Sequence, residues 1–338
     1  MSGGRRWISY KRHWIPLAFL GAGLAAVAWW LISPVPAALL IRAIFDDQAN
    51  KTVAEMDKYV PESGVTSLLN QAYGSGVDQQ FDVFRPVGTT DALPTIVWIH
   101  GGAWISGSTE NVDPYARILA DRGFTVVTLD YPYGPEHTYP RSIDSLATAF
   151  AFLVENADEY DIDPDRIVIA GDSAGSNLTS QLAVVVTNPE YADLLGITPP
   201  LTPEQLRGVV LTCGIYDVSE IPEAPGIGGW GFRIALWAYL GERDWSNTPG
   251  GDEMSTLDYV TADFPAAWIT GGNGDPLTSN QSVPLADKLR GLGVDVTDLF
   301  YAADHEPALP HEYQFHLDFE DAQSALEQIV SFAERVTR

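Results

Sequence analysis

Ser173 lies between two glycines in VIAGDSAGSN, residues 168–177, after a run of β-branched and apolar residues and before a helical pattern. A serine hydroxyl is a poor nucleophile until a base takes its proton, so it does chemistry only beside a histidine that an acid orients. Gly-x-Ser-x-Gly alone is a weak pattern, because glycine and serine are ordinary loop residues. Context sharpens it. RIVIAG supplies a strand and SNLTSQLAVVV a helix, the two sides of a tight elbow that lifts a reactive hydroxyl clear of the backbone.

In such an elbow the acid and then the histidine come later in the chain. Asp275 in AAWITGGNGDPLT follows an apolar strand inside a glycine-rich turn, at the carboxyl edge where parallel sheets place their sites. Asp252 and Asp263 follow no strand. Of the six histidines, His13, His100 and His137 precede the serine, which leaves His305, His311 and His316 in YAADHEPALPHEYQFHLDF. Upstream, TIVWIHGGAW ends a strand in His100-Gly101-Gly102. Consecutive glycines let the backbone approach a substrate and aim N–H groups at a developing oxyanion. Gly101, Gly102 and Ala174, the residue after the nucleophile, are the expected donors, with His100 bracing the loop.

The strands that must carry these residues read as near-continuous apolar runs: FDVFRP, TIVWIH, TVVTLD, RIVIAG, GVVLTC, AAWITGG and VTDLFYA. Between and after them, DPYARILADRG, IDSLATAFAFLVENADEY, NLTSQLAVVVT, VPLADKLRGLG and DAQSALEQIVSFAERV have apolar residues three and four apart. The alternation predicts an α/β class chain with a mostly parallel sheet covered by helices on both faces. No repeat or charged linker divides residues 76–338, which read as one catalytic domain. Residues 214–262 break the alternation as a Gly-, Pro- and aromatic-rich insertion. A helix near GWGFRIALWAYLG there places Trp230, Ile234, Trp237 and Ala238 on one face, as core or as a cap lining an acyl pocket.

The first residues differ in kind. WIPLAFLGAGLAAVAWWLIS, residues 14–33, carries no charge and has tryptophans at both ends, behind a basic flank at 1–13. At about 1.5 Å per residue that length spans a bilayer core, and the charge asymmetry predicts a single-pass anchor with the catalytic domain outside the cytoplasm. A cleaved signal, releasing a secreted enzyme, is the alternative. Residues 34–75 read as a linker whose PAALLIRAIF forms an amphipathic helix, at the membrane or as a cap over the catalytic domain.

Composition closes off other classes. Beyond residue 50 the chain holds 14 of its 19 basic residues against 43 of its 45 acidic ones, a field that repels nucleic acid. The single Cys213 excludes an internal disulfide framework and reads as a buried, inert thiol. No His-x-x-x-His, paired cysteine, phosphate loop or dinucleotide fingerprint is found, so neither metal nor cofactor is expected.

HGGAW, DYPYGPEHTYP, GDSAG and GDPL, in this order, resemble the HGG-motif, hormone-sensitive-lipase-like carboxylesterases of the α/β-hydrolase fold, over roughly residues 80–335. The resemblance implies Ser173 as nucleophile, Asp275 as acid, Gly101, Gly102 and Ala174 as oxyanion donors, and a structural loop around His137. It implies a small-molecule ester as substrate. The family's histidine precedes Gly-Phe, and no His-Gly pair exists here. Plain counting from Asp275 favours His305, but DHEPALP reads as an inserted loop, and counting back from the final helix puts His311 where the family's base stands. Glu312 and Tyr313 then occupy the Gly-Phe positions. Ser176 also departs from the family, standing where another glycine is common. An amidase or peptidase using the same triad, and a catalytically silent binding module on the same fold, are the competing readings.

Overall fold

The computed structural model describes residues 19–21, 23, 27–89, 91–221 and 226–338. Eight strands form one sheet: β1 (Val65–Ala72), β2 (Gln80–Pro86), β3 (Leu93–Ile99), β4 (Thr125–Leu129), β5 (Ile162–Asp172), β6 (Leu206–Thr212), β7 (Ala267–Gly271) and β8 (Val296–Phe300). Their spatial order is β1-β2-β4-β3-β5-β6-β7-β8. Strand β2 runs antiparallel to β1 and β4, and all other neighbours are parallel.

The central strands are largely apolar because both faces are covered. Successive residues alternate between two cores: Val97, Ile99, Ile169 and Leu211 face one, while Ile96, Trp98, Val168 and Val210 face the other. The first core is closed by the helices Arg141–Glu155, Ala174–Thr187 and Val283–Gly291, through Leu146, Phe150, Leu178, Leu182 and Leu285. The second is closed by Asp113–Asp121 and Glu320–Val336, through Tyr115, Leu119, Ala325 and Ile329. Every residue of Ala174–Thr187 is buried. Two of its polar side chains reach out of the helix: Asn177 Nδ2 donates to the carbonyls of Ile215 and Met254 at 2.9 Å, and Ser180 Oγ lies 2.8 Å from Thr256 Oγ1. Those bonds fix the nucleophile's helix to the 214–262 insertion.

Two expectations change, on where the sheet begins and on which face of the insertion helix is apolar. The sheet begins before residue 76, because residues 65–72 form the edge strand β1. Only β2 pairs with it, and Leu68 and Leu69 are exposed, so no core-facing alternation marked it. The remainder of 34–75 is dominated by a long helix, Val35–Met56, whose Ala38 and Ile41 pack with Ala103, Ile105, Ala235 and Ala238. The helix Gly226–Leu240 buries Ala235, Leu236, Ala238 and Tyr239, whereas Trp230 is exposed and Trp237 lies under the Arg243 guanidinium, 4.9 Å from its ring centre. The apolar face is therefore rotated from the tryptophan stripe toward small residues that let the two helices approach.

Of the 14–33 stretch, residues 14–18, 22 and 24–26 lie outside the described residues, as do the basic flank and His13. Phe19, Leu20, Trp29, Trp30, Leu31 and Ile32 are exposed. Among the described residues no helix is long and apolar enough to cross a membrane.

Candidate active site

Strand β5 ends at Asp172 and the helix begins at Ala174, so Ser173 alone makes the turn, with φ 50° and ψ −117°. A non-glycine residue there is strained, and neighbouring contacts hold it in place. Ser173 N–H donates to the Thr212 carbonyl at 2.9 Å. Ser176 Oγ lies 2.6 Å from the Gly171 carbonyl and accepts the Thr212 N–H at 2.9 Å, lacing the elbow to β6. Gly175 is required by proximity, since a Cβ there would press on the carbonyl oxygens of Ile99 and His100.

Two loops bring the partners. Asp275 follows β7, and its Oδ1 accepts the Leu277 N–H at 2.9 Å. The later loop is tied to it: Gly274 N–H donates to the Leu309 carbonyl at 2.8 Å, and Leu309 N–H donates to Asn273 Oδ1 at 2.8 Å. Tyr313 and Gln314 anchor the far side, 2.7 Å from Thr270 Oγ1 and 3.0 Å from Thr212 Oγ1. Between these anchors His311 sits with Nδ1 2.8 Å from Asp275 Oδ2 and Nε2 2.9 Å from Ser173 Oγ. The structure thus brings Ser173, Asp275 and His311 into one continuous chain. Asp275 is buried while His311 is partly open to solvent. Burial disfavours the imidazolium, but the carboxylates of Asp275, Glu312 and Asp172 outweigh it and raise the His311 pKa to about 9.

The other histidines are engaged elsewhere. His305 Nε2 is 3.1 Å from Asp321 Oδ2, and His316 Nδ1 is 2.9 Å from Glu55 Oε2. Asp318, two residues on, pairs with Lys58. His137 Nε2 lies 3.2 Å from Asp78. His100 is buried, with Nδ1 2.7 Å from the Gly101 carbonyl and its ring stacked on Tyr131; burial lowers its pKa to about 4.

One expected oxyanion donor is corrected. Gly101 N–H is donated to Asp172 Oδ2 at 2.7 Å and cannot also point at a substrate oxygen. Asp172 Oδ1 takes a second bond from Trp98 Nε1 at 2.7 Å. Burial, then the negative charge of Glu312, push the Asp172 carboxyl well above its usual range. Downstream, Gly102 has φ 109°, where a Cβ would strike the Ser106 carbonyl, and Ala103 and Trp104 follow at φ 52° and 57°. The N–H groups of Gly102, Ala103 and Ala174 have no protein acceptor among the described residues. Ala103 was not legible as a donor, because alanine seldom takes a left-handed backbone.

Cys213 is buried as expected, yet it lies inside the site. Its sulfur accepts the Glu312 N–H at 3.2 Å. Cys213, Asp275 and His311 bring a sulfur, a carboxylate oxygen and a ring nitrogen within 4.8 Å of one another. The carboxylate and ring are already hydrogen-bonded together, and burial holds the thiol protonated, well above its usual pKa.

The chain matches the BD-FAE family over residues 81–289. It is 31% identical over 252 residues to carboxylesterase NlhH of Mycobacterium tuberculosis, covering 71% of this chain and 73% of that one. An AB hydrolase superfamily protein of Schizosaccharomyces pombe is 30% identical over 253 residues, 70% of this chain and 69% of the relative. Among solved structures, esterase B of Lactobacillus rhamnosis superposes with a TM-score of 0.76 at 23% identity, covering 89% of this chain and 96% of that one. An esterase of Pyrobaculum calidifontis superposes at 0.70 with 21% identity, over 89% and 94% of the two chains. The chain belongs to the BD-FAE family, as a carboxylesterase-like member of the α/β-hydrolases.

Proposed function

We propose that the protein cleaves carboxylic esters through an acyl-enzyme on Ser173. The observation that carries this is the single imidazole bridging two partners, with Nε2 2.9 Å from Ser173 Oγ and Nδ1 2.8 Å from Asp275. His311 Nε2 takes the hydroxyl proton as Oγ attacks the ester carbonyl, and Asp275 stabilises the imidazolium that forms. The N–H groups of Gly102, Ala103 and Ala174 receive the oxyanion. Collapse expels the alcohol, which takes its proton from Nε2. Water then repeats the sequence on the acyl group and frees Ser173. A panel of p-nitrophenyl esters and anilides tests the class, with esters cleaved and anilides inert; the reverse preference points to an amidase, and inertness toward both to a silent module.

The helices Val35–Met56 and Gly226–Leu240 form a small cap beside the oxyanion loop, and we read short to medium acyl chains as the preferred substrates. Rates that climb steadily toward long-chain esters would count against this. The exposed apolar residues of 19–32, behind a basic flank, support membrane anchoring with the catalytic domain outside. Protease added to intact cells should digest the catalytic domain, and protection until lysis would reverse the orientation.

A further inference from the structure

We propose that Glu312 is a specificity-determining residue that selects esters whose alcohol carries a cationic group, such as a quaternary ammonium; this rests on the ester-hydrolase reading above. Glu312 sits at φ 57°, and that left-handed turn swings its side chain back over the site. Its Oε1 lies 3.7 Å from His311 Nε2, the nitrogen that faces Ser173. A Cβ built on Gly101 would stand 2.9 Å from the same oxygen, so the carboxylate also overhangs the start of the oxyanion loop, beside Asp172. The Glu312 side chain is 32% exposed, so a solute can reach it. The ion pairs of the described residues give it no lysine or arginine, only the catalytic imidazole, and its other polar neighbour is the Asp172 carboxyl, with which it shares a hydrogen bond.

The placement has a direct chemical consequence. The departing alcohol oxygen takes its proton from Nε2, so the first atoms of the alcohol pass beside Glu312. A carboxylate near a developing oxyanion opposes the transition state of a neutral ester. A cation on the alcohol cancels that charge where it does most harm, and its attraction acts in the transition state as well as in the bound substrate. An anionic alcohol portion is disfavoured for the same reason.

The test compares butyrylcholine with its uncharged isostere, 3,3-dimethylbutyl butyrate, at one pH. The ratio of the two kcat/KM values is read in the wild type, Glu312→Gln and Glu312→Gly, the last suited to the left-handed backbone. Because both esters meet the same base, any change in His311 basicity cancels in the ratio. The wild type should favour the cationic ester by about tenfold, a modest share of what opposite charges about 5 Å apart supply near a protein surface. Both variants should bring the ratio close to unity while thermal unfolding shows them folded. A ratio that is the same in the wild type and both variants overturns the assignment of Glu312. Failure to cleave even p-nitrophenyl butyrate would instead remove the esterase reading on which it rests, and the assignment with it.

Discussion

Asp172 Oδ2 accepts the Gly101 N–H at 2.7 Å, so the residue beside the nucleophile braces the loop that carries the oxyanion donors. Asp172→Ala leaves that N–H and Trp98 Nε1 buried without acceptors, at about 1–3 kcal/mol each. The melting temperature should fall. Activity should also fall through kcat more than KM, by about 100-fold at most, the scale of losing one oxyanion donor. An unchanged kcat in a folded variant would show that the loop holds its shape without Asp172.

The Val35–Met56 helix should matter to catalysis. Arg42 donates from Nε to the Ile105 carbonyl at 2.5 Å and from Nη2 to the Gly134 carbonyl at 2.7 Å, and pairs with Glu136. Ala38 and Ile41 pack on Ala103 and Ile105, within the oxyanion loop. Removing residues 1–33 should leave kcat/KM nearly unchanged. Removing residues 1–45 should lower it by about tenfold or more, since small displacements of catalytic groups cost up to about 100-fold. Equal activity of the two truncations would make the helix a passive cover.

The pH dependence follows from the acids around His311. Only neutral imidazole accepts the serine proton, and the His311 pKa is raised to about 9 from 6.5. The acid limb of kcat/KM for a p-nitrophenyl ester should therefore lie on the alkaline side of free imidazole. A raised pKa also means that folding favours the protonated form. That contribution to stability is fully present below about pH 6.5 and fades as pH rises through about 9. An acid limb centred below 6.5 would contradict this arrangement of charges.

The parallel strands and the elbow were legible because strands buried on both faces read as unbroken apolar runs, and strand ends carry the site. Strand β1 was not, since an edge strand with Leu68 and Leu69 exposed has no core-facing alternation to reveal it. The glycine pair marked the oxyanion loop, but which N–H stays free depends on a carboxylate folding back from residue 172. That is a tertiary fact, with no local signature. His311 was reached through family spacing, although the bonds from Asn273 and Gly274 to Leu309 are what deliver it to Asp275. The sheltering role of residues 34–56 was left open because PAALLIRAIF suits a membrane surface and a protein surface equally.

The most direct measurement is kcat/KM for p-nitrophenyl butyrate in Ser173→Ala, purified beside the wild type and checked for an unchanged melting profile. Members of such a triad act as a unit, so losing the hydroxyl should cost at least about 1,000-fold, with only binding and oxyanion effects left. Residual turnover within tenfold of the wild type, roughly 1.4 kcal/mol of barrier, would mean that Ser173 is not the nucleophile.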